Sequence, residues 1–134
     1  RDIERRAEFY GFKAIVPAPY PLKEFDLANK IAVIGMDEDW LVEYVRLTYK
    51  RWFIDGLEPG VEPNLSDILN EIGLESKNII ESAKNEKTND KYVKQTNLAK
   101  NNKVFGSPSF IVENELFWGD DRLEDAIKWI NQNK

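Results

Sequence analysis

Residues 104–127 read VFGSPSFIVENELFWGDDRLEDAI, and this stretch decides the fold. Ser109–Val112 and Glu115–Trp118 are two short runs of strand-forming residues separated only by Glu113-Asn114. The spacing predicts two β-strands joined by a tight hairpin, with Asn114 the residue suited to a positive φ. Gly119 breaks the second strand. Behind it Asp120 or Asp121 is placed to cap a last helix that buries Leu123, Ala126, Ile127 and Ile130, and Asp121 with Glu124 has the spacing of a capping box.

Working back toward the N-terminus, helical periodicity dominates. Asp2–Tyr10 reads as a helix closed by Gly11, and Phe12–Val16 as a short strand ended by Pro17, Pro19 and Pro21. A second helix is expected from Lys23 to about Ile34, with Phe25, Ala28, Ile31 and Ala32 on one face and Gly35 as its stop. Asp37 or Asp39 is expected to cap a third, in which Trp40/Leu41, Tyr44/Val45, Thr48/Tyr49 and Trp52/Phe53 recur every four residues. Helical spacing makes a buried core face the better reading of that aromatic stripe, against a ligand box. After Gly56, Pro59, Gly60 and Pro63, Asn64 is a candidate cap for a helix over Leu65–Ile72, stopped by Gly73. Ser76 caps a short helix with Ile79, Ile80 and Ala83, and Thr88 or Asn89 starts another. The whole predicts an α/β chain in three parts: 1–22 and 104–134 carry the strands, and 23–103 is helical.

Composition narrows the chemistry. The 134 residues suit one domain, with 42% hydrophobic and 32% charged residues, which are globular proportions. There is no Cys and no His, so disulfides, thiolate metal sites, Ser-His and Cys-His triads and imidazole zinc ligands are all excluded. Charged residues interrupt every apolar run before it reaches spanning length, and nothing near Arg1 resembles a signal peptide. A cytoplasmic location without membrane contact is expected. The net charge of −5 argues against nucleic acid as a partner. Seven lysines between Lys77 and Lys103 read as a solvated helix surface.

Three places could carry chemistry. A cis Ser107–Pro108 bond would turn the Ser107 backbone toward an extended ligand, to pair as an added strand; the alternative is a trans proline leading into an edge strand. Asp120 and Asp121 could hold the ammonium of an amino-acid-like ligand; the alternative is capping and complementarity to the helix dipole. The stiff loop from Pro17 to Lys23 could line a site or merely link elements.

The stretch quoted first, together with AEFYGF (7–12), PAPYPLKEFDLANKIAVIG (17–35) and LTYKRWFIDGLEPG (47–60), resembles bacterial 2-hydroxychromene-2-carboxylate isomerases. These are relatives of kappa-class glutathione transferases within the DsbA-like thioredoxin-fold group. The resemblance implies an incomplete thioredoxin-like fold with a large all-helical insertion, roughly 23–103, and glutathione as cofactor. It implies that Pro108 is the cis proline and that Ser107 pairs through its backbone with the cysteinyl unit of glutathione. Asp120 and Asp121 would receive the γ-glutamyl end, while a structural ion pair is expected of Arg122. The implied reaction is reversible addition of the glutathione thiolate to a small aromatic substrate, with rotation about a carbon–carbon bond before the thiolate leaves.

The family's catalytic serine follows a first strand that no residue here matches, and Ser107 and Ser109 are not substitutes. The expectation is therefore a chain that lacks an N-terminal segment, carries half a site, and manages its exposed sheet edges by forming a homo-oligomer. A kappa-transferase-like enzyme is the second reading. A non-catalytic helical interaction domain with a thioredoxin remnant is the third. A disulfide oxidoreductase is excluded by the missing cysteine.

Overall fold

Backbone pairing sorts the chain into seven α-helices and one hairpin among the described residues, 1–132 of a computed structural model. They form two units, Arg1–Tyr92 and the part from Val93 onward.

In the first unit, α1 (Asp2–Phe9), α2 (Phe25–Gly35), α3 (Leu41–Phe53), α4 (Asn64–Glu71) and α5 (Ser76–Ala83) are followed by the start of α6 (Glu86–Asn101). Ile31, Tyr44, Leu47, Leu65, Ile68, Leu69 and Ala83 form a core contributed by α2 to α5. Apolar spacing of three and four residues puts these side chains on inward faces. Arg51 links α3 to α4, donating to Asn64 Oδ1 at 3.2 Å and to Glu71 Oε2 at 2.6 Å. At the end of α4, Gly73 takes φ +81°, and the Gly73 and Leu74 amides donate back to Asn70 and Leu69 at 3.0 and 2.9 Å. That is a Schellman closure, which favours glycine at the left-handed position.

In the second unit, β1 (Ser109–Val112) and β2 (Glu115–Trp118) pair antiparallel with Ser109 opposite Trp118 and Val112 opposite Glu115. A 3-10 turn over Asp120–Arg122 leads into α7 (Leu123–Gln132), which packs on the hairpin.

Several expectations need correction. Phe12–Val16 forms no strand, because it has no ladder partner; the Ile15 amide donates instead to the Phe53 carbonyl at 2.6 Å. Gly35 does not stop α2 through a left-handed turn. It is the last residue of the helix, and a Cβ there would stand 2.7 Å from the Trp40 ring, so close approach requires the glycine. Neither Asp37 nor Asp39 caps α3: Trp40 occupies the cap position, and Asp37 accepts from Lys91 Nζ at 2.6 Å.

Asn64 lies inside α4 rather than capping it, and its amide donates to the Glu58 carbonyl at 3.0 Å. Glu75 occupies the cap position of α5 and Ser76 is its first residue. The start of α6 is held by Asn85, whose Oδ1 accepts from the Thr88 amide at 2.8 Å. In the hairpin turn the positive φ falls on Glu113, at 56°, and not on Asn114. In α7 only Ala126 is buried; Leu123, Ile127 and Ile130 are 41%, 48% and 41% exposed.

Candidate functional site

The hairpin brings two of the three sequence candidates together. Its register sets Ser109 against Trp118, so Ser107-Pro108 and Gly119-Asp120-Asp121 meet at its open end. The Gly119 amide donates to the Pro108 carbonyl at 3.0 Å and fixes the meeting. The Ser107–Pro108 bond is cis. Ser107 is exposed, and its backbone N–H and C=O make no hydrogen bond among the described residues. The Ser109 hydroxyl is committed to the Gly106 carbonyl at 2.6 Å. Phe105 packs on Trp118 with ring centroids 5.2 Å apart, and a Cβ on Gly106 would overlap the same indole.

Gly119, at φ 116°, occupies the cap position, so Asp120 and Asp121 are acids of the first turn and not its cap. Both are exposed. Arg122 donates to Asp125 Oδ2 at 3.1 Å and stands 3.7 Å from Asp121 Oδ2, which is the ion pair expected of it. An extended backbone ligand could therefore find a free donor and acceptor at Ser107, and a cationic group could find two surface carboxylates beside it. These features fit the peptide backbone and free ammonium of glutathione.

The third candidate, the loop from Pro17 to Lys23, is held elsewhere. The Lys23 amide donates to Glu58 Oε1, and Trp52 Nε1 donates to the Pro19 carbonyl at 2.9 Å. Under this loop α2 and α3 part around a cavity of about 390 Å³. Sequence reasoning assigned the aromatic stripe of α3 to core. Tyr44 is core, at 2% exposure, but Tyr49 is 51% exposed and lines the cavity with Val45, Thr48 and Trp52. The signal for the difference lies across the gap, where α2 presents Ala28 and Ala32: small residues opposite large ones leave space.

Tyr44 donates its hydroxyl to the Ala28 carbonyl at 3.0 Å, and burial pushes its pKa up to about 12. The neighbouring Thr48 hydroxyl, itself buried, offsets part of that rise. Among the described residues no helix is long and apolar enough to cross a membrane.

Fold and sequence agree on a lineage. Residues 1–129 match the family described as a DSBA-like thioredoxin domain, and the chain belongs to that family. Its relatives include 2-hydroxychromene-2-carboxylate isomerases of Sphingobium xenophagum, 27% identical over 92% of this chain and 62% of theirs, and of Pseudomonas putida, 25% identical over 91% and 59%. A third, from Pseudomonas sp. (strain C18), is 26% identical over 94% and 59%. The chain thus spans about three fifths of the length of these relatives. A solved structure of a 2-hydroxychromene-2-carboxylate isomerase superposes with a TM-score of 0.84 over 98% of this chain and 64% of that one, at 23% identity. That likeness shows a DsbA-like thioredoxin fold, here mostly helical with a small two-stranded sheet.

Proposed function

We propose that this chain is part of a glutathione-dependent isomerase of the 2-hydroxychromene-2-carboxylate type, acting on a small aromatic compound. The observation that carries the reading is the meeting of Ser107-Pro108 with Asp120-Asp121 at the open end of the hairpin, in a family whose similar members are named as that isomerase. Glutathione, when bound, supplies the sulfur nucleophile that a chain without cysteine does not contain.

The chain's own residues bind and orient. Ser107 offers its amide and carbonyl to the cysteinyl unit as an added strand would. Asp120 and Asp121 pair with the γ-glutamyl ammonium, and as first-turn acids they also complement the positive end of the helix that follows. Stabilisation of a thiolate by a serine hydroxyl is assigned to no residue here, since Ser109 already donates to Gly106.

Calorimetric titration of the native-length protein with glutathione tests this reading. The double variant Asp120→Ala/Asp121→Ala is expected to lose binding. Unchanged affinity would reduce the two aspartates to helix-start acids and remove the site.

A further inference from the structure

We propose that Ser109 is a positioning residue of the hairpin site: its hydroxyl holds the peptide group between Gly106 and Ser107 so that the Ser107 N–H faces the ligand. As a statement about glutathione this rests on the isomerase reading; as a statement about which way one N–H points it stands on the geometry of the hairpin.

The carbonyl of Gly106 and the N–H of Ser107 belong to one planar peptide group. The bond joining them is trans, so its two polar ends point in opposite directions. The Ser109 hydroxyl donates to the Gly106 carbonyl at 2.6 Å. That contact ties the acceptor end back onto the start of β1, and the donor end must face away from it. Ser107 is exposed, and its N–H meets no acceptor among the described residues.

Neighbours keep the group from turning. On one side the Gly119 amide holds the Pro108 carbonyl at 3.0 Å. On the other the Trp118 indole lies so close to Gly106 that a Cβ there would overlap it, and Phe105 packs on the same ring. Ser109 stands opposite Trp118 in the register, and directly opposed residues of antiparallel strands share a face. Hydroxyl and indole therefore act on Gly106 from the same side of the hairpin. A carbonyl that accepts a hydrogen bond also polarises its own amide, which strengthens the N–H at the other end as a donor. Without the hydroxyl the peptide plane is freer to rotate, and a ligand must order it on binding.

Nuclear magnetic resonance and calorimetry on the native-length protein test the assignment. In the free, weakly aligned protein, the one-bond dipolar coupling of the Ser107 N–H reports its direction. Ser109→Ala is expected to change that coupling and to leave that of Gly119 as it was, whereas Ser109→Thr, which keeps the hydroxyl, preserves both. Glutathione affinity should fall about fivefold in Ser109→Ala, the worth of one hydrogen bond, and be restored in Ser109→Thr. In the unaltered protein the Ser107 amide proton should move downfield as glutathione saturates, a measurement that needs no variant to fold. A hydroxyl that serves only the local turn would lower the unfolding temperature of Ser109→Ala while the Ser107 coupling stays the same, and that result overturns the proposal. So does a Ser107 amide proton that glutathione leaves in place. Unchanged affinity in Ser109→Ala beside lost affinity in Asp120→Ala/Asp121→Ala would overturn this role alone; no glutathione binding by the unaltered protein would overturn the site and this role with it.

Discussion

The helices of the first unit and the hairpin unit differ in what holds them. Leu69 and Ile31 are fully buried at 0% exposure, and Leu65 and Ile68 are at 1%. In the hairpin unit Ile111, Trp118, Ile127 and Trp129 are between 38% and 54% exposed, and among the described residues Ala126 alone is a buried apolar side chain. Burial of apolar surface is the main favourable contribution to stability, so the first unit carries most of it. Yet the hairpin unit holds the residues proposed to bind glutathione. Packing and recognition are thus assigned to different stretches of one chain, which single substitutions should separate.

The largest contrast is expected in the cores. Leu69→Ala should cost about 2 to 5 kcal/mol in a denaturant titration, through lost transfer energy and the cavity left behind. Ile127→Ala, on the half-exposed face of α7, should cost under about 1 kcal/mol. Equal losses would erase the distinction between the units.

A pH titration sharpens the same contrast through Tyr44. Its pKa is raised from 10.0 to about 12 by burial. Below pH 10 both folded and unfolded chains keep the proton, and the contribution is fully present. As pH rises from 10 toward 12 the unfolded chain ionises first, and stability falls by about 2 to 3 kcal/mol. Tyr44→Phe should flatten that part of the profile; an unchanged slope would mean the ring is not desolvated.

Gly35→Ala should destabilise the first unit by about 1 to 3 kcal/mol, because the new methyl must displace the Trp40 indole. A neutral outcome in thermal unfolding would show that the indole gives way freely. The smallest effect is a gain. Lys103 stands at φ 58° with the Lys103 and Val104 amides bonded back to Lys100 and Ala99, the closure that Gly73 makes at α4. Lys103→Gly should stabilise the protein by about 0.5 to 1 kcal/mol, and a loss of stability would show the lysine side chain to be held by contacts that outweigh its backbone cost.

What the sequence revealed followed the length and regularity of its signals. The hairpin strands were legible to the residue, since two runs of strand-forming residues either side of a two-residue turn leave one register. Helix existence was legible throughout, because apolar spacing persists over two or more turns. Caps were not: Asp37, Asn64 and Thr88 suit a cap chemically, but tertiary partners claimed Asp37 and Asn64, and Asn85 was nearer the α6 terminus. The strand expected at Phe12–Val16 failed because strand propensity describes a segment, whereas a strand needs a neighbour. In the site, Ser107, Pro108, Asp120 and Asp121 were singled out in sequence, but their approach to one another depends on the register that closes the hairpin. The cavity was read as core, because a four-residue repeat is the same whether the facing helix fills the gap or leaves it.

The central claim is that the open end of the hairpin receives glutathione. Amide resonances of the native-length protein, followed as glutathione is added, test it most directly. The account predicts that the amides of Ser107, Ser109, Gly119, Asp120 and Asp121 shift and saturate together while those of α4 and α5 stay still. Shifts confined to the residues lining the cavity between α2 and α3, or none at any position, would contradict it.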